Sequence, residues 1–65
     1  MTKEKATKEF KEQVLPYVRA QYEQDGKRDA IARREAWNNW TDGLCKDRRI
    51  TSWQYDNWTH PAICG

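Results

Sequence analysis

The chain has 65 residues, a formal charge of +2, 34% charged residues and 37% hydrophobic ones. A chain this short buries only about 60% of the surface its unfolded form exposes, which limits it to one small domain of marginal stability. The near-balanced charge neither demands a nucleic-acid partner nor fits a strongly acidic DNA mimic, and no apolar run approaches the length of a membrane span.

The first helical segment is expected from about Lys3 to Gln24. Phe10, Val14, Tyr17, Val18 and Tyr22 recur at three- and four-residue spacing, which places them on one face of a helix. Its opening turns are Lys, Glu, Thr and Ala, so residues 1–6 are expected to fray. Pro16 removes a backbone donor and clashes with the preceding turn, which predicts a kink or break near Leu15. Asp25-Gly26 supplies the stop, with Gly26 suited to left-handed geometry.

The second segment is expected from Asp29, as N-cap, to about Cys45. Its inward stripe reads Ala32, Ala36, Trp40 and Leu44, with Ile31 and Trp37 alongside. The small alanines would let the first helix approach closely, with its tyrosines filling the gap. The predicted common core is Phe10, Val14, Val18, Ala36, Trp40, Leu44 and Ile50.

Thr51 and Gln54 fit a capping box, flanked by Ile50 and Tyr55 at the positions of a hydrophobic staple, so a third helix is expected from Ser52 to about Thr59. Pro61 ends it, because the residue before a proline disfavours helix. The tail 62–65 is expected to be loosely held. The fold class expected is all-α: a small three-helix domain with a kink or break near Pro16 and a helix-loop-helix C-terminal half.

No constellation points to a reaction. Asp47-Arg48-Arg49-Ile50-Thr51 has the outline of half an EF-hand loop, but Gly43, Cys45 and Gln54 stand where carboxylates are required and Arg48 where the turn glycine belongs. Cys45, His60 and Cys64 make a three-residue soft-ligand set without the second pair that structural zinc needs. A Cys45–Cys64 disulfide is disfavoured in a cytosolic protein, leaving a semi-buried Cys45 and an exposed thiol on the tail as the expectation. A lone histidine and the lack of a phosphate loop or paired nucleophile predict a protein that is not an enzyme and takes no cofactor or metal. Met1-Thr2-Lys3-Glu4-Lys5 leads into polar helix rather than a signal-peptide core, so the location expected is the cytoplasm, and the acceptor patterns Asn39-Trp40-Thr41 and Asn57-Trp58-Thr59 are read as coincidental.

The aromatic content carries the functional signal. Four tryptophans are present, two of them in a near-repeat, Trp37-Asn38-Asn39-Trp40-Thr41-Asp42 and Tyr55-Asp56-Asn57-Trp58-Thr59-His60. A domain this small cannot easily bury all four, and Trp, Tyr and Arg dominate binding hot spots. Arg48, Arg49, Trp53 and Trp58 therefore form the expected partner-binding surface, with the helix face around Arg19 and Tyr22 as the next candidate. The alternative is a helix-turn-helix-like nucleic-acid-binding protein, with Ser52, Gln54 and Asn57 reading bases and Lys46, Arg48 and Arg49 meeting phosphates. The long joint, Asp56 on the would-be reading helix and the balanced charge weigh against it.

The stretch Ala32-Arg33-Arg34-Glu35-Ala36-Trp37-Asn38-Asn39-Trp40-Thr41-Asp42, followed by Leu44-Cys45-Lys46-Asp47, Ile50-Thr51, Gln54-Tyr55, Asn57-Trp58 and His60-Pro61, resembles small proteins encoded by tailed bacteriophages. The resemblance covers roughly the C-terminal half. In that group a glycine usually follows the Lys-Asp pair, where this chain has Arg48, and a non-glycine residue in left-handed geometry is uncommon. The resemblance implies no activity. It implies a setting, the cytoplasm of an infected host, and a mode of action, modulation or inhibition of a host or phage macromolecular complex by binding.

Overall fold

Pro16 divides the first helical segment in two. In the computed structural model, which describes residues 1–65, α1 spans Lys3–Gln13 and α2 spans Leu15–Tyr22, with Val14 between them. The Val14 amide bonds to the Phe10 carbonyl at 2.9 Å and closes α1. Pro16 then stands in the first turn of α2, where its missing N–H leaves no bond unmade. The chain continues through α3 (Ala30–Lys46) and α4 (Ser52–Asn57) to a 3-10 turn at Ala62–Cys64, and no strand forms. No helix is long and apolar enough to cross a membrane.

The break changes which face points inward. Phe10 on α1 and Leu15 and Val18 on α2 are buried, whereas Val14 is half-buried and Tyr17 and Tyr22, expected on the inner face, are 63% and 59% exposed. A single uninterrupted helix would have kept all five residues of the expected stripe in phase. Splitting it lets Leu15 take the core position instead.

α3 starts as expected, with the Asp29 carboxylate accepting from the Ala32 amide at 3.0 Å. Its buried face is displaced by one residue from the expected stripe. Arg33, Trp37, Thr41 and Leu44 are buried, while Ala32, Ala36 and Trp40 are half-buried and Ile31 is 69% exposed. Two long-range interactions explain the rotation. Arg33 is drawn inward by Glu23, and Trp37 packs edge-on against Phe10 with ring centroids 5.4 Å apart. Trp40 completes the aromatic group from its half-buried position, 5.7 Å from both rings. Each such pairing contributes about 0.5–1.5 kcal/mol beyond the area it buries. The Thr41 hydroxyl, buried in the same face, donates to the Trp37 carbonyl at 2.9 Å.

The central core cluster is Ala6, Phe10, Leu15, Val18, Trp37 and Cys64, with Trp58 packed against it from α4's end, and Leu44 and Ile50 are buried as expected. One expectation about the chain ends is thereby corrected: Cys64 is fully buried rather than exposed, and at the other end Ala6 is fully buried in the same cluster. Three arginines draw the tail in: Arg28, Arg33 and Arg34 donate to the carbonyls of Ala62, Ile63 and Cys64 at 2.8, 2.9 and 3.3 Å. The Ala62 carbonyl also accepts from the Gly65 amide at 3.1 Å, whereas the Ile63 and Cys64 carbonyls at the end of the turn take their bonds from the arginines.

The capping box at α4 is complete. The Gln54 amide donates to the Thr51 hydroxyl at 3.0 Å, and the Thr51 amide donates to the Gln54 side-chain oxygen at 2.8 Å. Ile50 is buried beside it, and Tyr55 remains 38% exposed. The helix ends at Asn57, two residues short of the expected Thr59, because Trp58 turns into extended geometry and packs its ring against the core.

Candidate functional site

The joint between α3 and α4 is built around Arg48. The Arg49 amide donates to the Leu44 carbonyl at 2.8 Å and the Arg48 amide to the Cys45 carbonyl at 3.0 Å, the paired bonds of a Schellman closure. Arg48 occupies the position where glycine is usual, with φ of 61°. Left-handed geometry brings the β-carbon of an L-residue close to the following carbonyl. The sharp reversal that results sets Ile50 into the core and leaves Arg48 exposed at the turn.

The four expected binding residues are placed unequally. Trp53 is 68% exposed on α4 and Arg48 is exposed at the joint. Arg49 reaches back across the fold to Glu9, with its Nη2 3.0 Å from the carboxylate, and Trp58 is half-buried against the core. Arg49 and Trp58 therefore tie α4 and the joint to the body of the domain, while Arg48 and Trp53 have their functional groups toward solvent. Two of the three groups required for base reading are occupied within the chain. Gln54 makes its capping-box bonds and donates Nε2 to the Met1 carbonyl at 3.0 Å, and Asn57 donates to the Trp53 carbonyl at 2.8 Å.

A second surface lies between α2 and α3. There a groove of about 380 Å³ is floored by Val14, Val18, Ala32 and Ala36, walled by Trp40, and edged by Tyr17 and Tyr22. Glu35 and Asn39, one turn apart on α3, form its polar rim. The expected stripe Ala32–Ala36–Trp40 thus lines a groove while packing against the outside of the core. The tyrosines, expected to fill the gap beside the alanines, stay at its edge instead. Helix spacing exposed the residues of this groove in the sequence; what it did not give was the rotation of α3 that opens them.

Glu23 holds the base of both helices together. It accepts from Arg33 through both oxygens, at 2.7 Å each, and from the Asp29 amide at 2.9 Å, with the two side chains only 8% and 6% exposed. The hydrogen bonds from Arg33 and from the Asp29 backbone carry its carboxyl from an ordinary 4.5 down to about 2, against the opposing effect of burial. Both carboxylate oxygens are engaged within the chain, and the pair ties the C-terminal end of α2 to the first turns of α3.

Cys45, His60 and Cys64 are not assembled into a site. Cys45 lies in the last turns of α3, whereas the Cys64 carbonyl accepts from Arg34 in its first turns and the Cys64 side chain is buried in the core. Both cysteines are free thiols. No cluster of three or more His, Cys, Asp or Glu residues is arranged to hold a metal ion. Comparison with protein-family models, curated proteins and solved structures gave no match.

Proposed function

We propose that this chain is a small protein-binding module, acting as a modulator or inhibitor of a host or phage macromolecular complex in the infected-cell cytoplasm that the phage resemblance implies. The observation that carries the proposal is the distribution of exposed large apolar side chains. Tyr17, Tyr22, Ile31, Trp53 and Tyr55 all lie at the surface of a 65-residue domain that needs apolar burial for its own stability. Isolated exposed apolar residues are ordinary, but Tyr17 and Tyr22 border one continuous groove with Ile31 just beyond it. Trp53 on α4 and Arg48 at the joint, both exposed, make up the other surface, with residue types that dominate hot spots.

Duplex binding is the competing reading, and the engagement of Gln54 and Asn57 in intramolecular bonds weighs against it. α4 is also only six residues long. A helix that short has little length to lay in a major groove once its first residues are used for capping. Affinity capture from host lysate with and without nuclease tests the proposal: a protein partner retained after nuclease treatment supports it, and a partner lost with the nucleic acid overturns it.

A further inference from the structure

We infer that the groove between α2 and α3 receives an amphipathic helix of a protein partner, one that presents a short apolar stripe flanked by a basic residue. This inference rests on the protein-binding proposal and names the occupant of one of its surfaces. Three observations select that occupant.

The first is the shape of the groove. Two adjacent helices with alanines along the floor leave a channel into which a third helix can set its ridges, in the manner of helix packing throughout globular proteins. Both lining patterns keep helical periodicity: Val14, Tyr17, Val18 and Tyr22 on one side, Ala32, Glu35, Ala36, Asn39 and Trp40 on the other. A strand has no edge to join, since the fold contains no sheet. A polyproline segment stacks on aromatic faces across its whole docking surface; here the free rings, Tyr17 and Tyr22, both stand on the α2 edge, the floor between the helices is aliphatic, and Trp40 on the α3 side is engaged with Phe10 and Trp37.

Length is the second. α2 has eight residues and so offers about 12 Å of wall, which matches anchors at i, i+3 or i+4, and i+7 on a partner helix, spanning about 10.5 Å. The occupant therefore needs only two to three turns of apolar stripe.

Charge is the third. Glu35 is the one ionised residue that lines the groove, and it belongs to none of the chain's ion pairs, which are Glu23–Arg33, Asp42–Lys46 and Glu9–Arg49. An exposed carboxylate beside an apolar channel favours Lys or Arg at the edge of the incoming stripe and disfavours Asp or Glu there. The uncharged Asn39 next to it adds a donor and an acceptor without altering that preference.

The experiment is a selection against the full chain from two displayed peptide libraries, one on a helix-forming scaffold of about four turns and one of unconstrained random peptides. The inference expects enrichment from the helical library of apolar residues at the i, i+3 or i+4, i+7 positions with Lys or Arg alongside. It expects Ala36→Leu, which fills the floor with a helix-compatible side chain, to weaken the selected peptides by about tenfold or more, as loss of a central pocket does. Glu35→Lys, at an exposed position, should lower affinity for the basic peptides and raise it for versions carrying Glu at the flanking position. That exchange of preference cannot arise from loss of fold.

Enrichment of proline-rich or acid-flanked peptides, binding indifferent to both Ala36→Leu and Glu35→Lys, or no enrichment from the helical library overturns the inference. So does a concentration-dependent dimer of the free chain that Ala36→Leu dissociates, which would assign the groove to a second copy. If the selection fails while a nuclease-resistant protein partner is captured, only the assignment of the groove's occupant falls. If captured partners depend on nucleic acid, the protein-binding proposal itself falls.

Discussion

Glu23 and Arg33 form a doubly hydrogen-bonded ion pair that is almost wholly withdrawn from solvent, with N–O distances of 2.7 Å on both branches. It joins the end of α2 to the first turns of α3, and Arg33 extends the connection to the Ile63 carbonyl of the tail. One carboxylate thereby ties the end of α2 to the start of α3 and, through Arg33, to the tail. Breaking such a pair by removing one partner is costly because the other charge is left buried.

Acid should release this connection. The Glu23 carboxyl titrates lower in the folded chain, at about 2, than its ordinary 4.5. A depressed folded-state value gives stability that is complete above the unfolded-state value and is lost as pH falls toward the folded one. Thermal melts should therefore show a midpoint that declines between about pH 4.5 and 2. Glu23→Gln should lower the midpoint at neutral pH and flatten the decline. An equal acid response in wild type and variant would assign the titration to another group.

Thr51→Ala removes the hydroxyl that accepts from the Gln54 amide and opens the capping box. The expected loss is about 1 kcal/mol. In a domain of this size that corresponds to a fall of about 4–8 °C in the melting midpoint. A midpoint unchanged by the substitution would mean that α4 does not contribute to the cooperative unit.

Arg48 and Gly26 make a pair of opposite predictions. Arg48 holds φ of 61° with a full side chain, a conformation that costs an L-residue about 1–2 kcal/mol. Arg48→Gly relieves that strain but loses about 0.5–1 kcal/mol through the freer unfolded chain, for a net gain of up to about 1.5 kcal/mol. Gly26, at φ of 79°, has nothing within 4 Å of an added β-carbon, so Gly26→Ala tests backbone geometry alone and should destabilise. Denaturant midpoints measure both. A loss of stability in Arg48→Gly would contradict the left-handed turn.

Burial of Cys64 predicts unequal thiols. Its side chain is closed off in the core and burial pushes its thiol up from the ordinary value, whereas Cys45 is partly accessible. A thiol reagent at neutral pH should label one cysteine rapidly in the folded protein and the second only on unfolding. Rapid labelling of both would show the tail open.

What could be read from the sequence is what neighbours decide. Asp29, Thr51 with Gln54, and the break at Pro16 act within one helical turn, so their residue types announce them. The phase of α3 could not be read the same way. An arginine at a buried position breaks the hydrophobic pattern, and only Glu23, ten residues away in sequence, makes that position affordable. The tail was illegible for the same reason, since Arg28, Arg33 and Arg34 lie thirty or more residues from the carbonyls they bind. At the groove the residues were visible as a helical stripe, but their direction was not. Arg48, Arg49, Trp53 and Trp58 were likewise visible as hot-spot residue types, whereas the engagement of Arg49 with Glu9 and of Trp58 with the core depends on contacts across the fold.

The proposal that this is a protein-binding module acting through exposed aromatic rings meets its most direct test in the affinity of a captured partner for wild type, Trp53→Ala and Tyr22→Ser, each checked for native circular dichroism. Both rings project from the surface, so neither truncation removes core packing. At least one variant is expected to lose about 2 kcal/mol or more of binding, roughly thirtyfold, as truncation of an anchor does. If both folded variants bind the partner as wild type does, the exposed rings are not the binding surface and the account is contradicted.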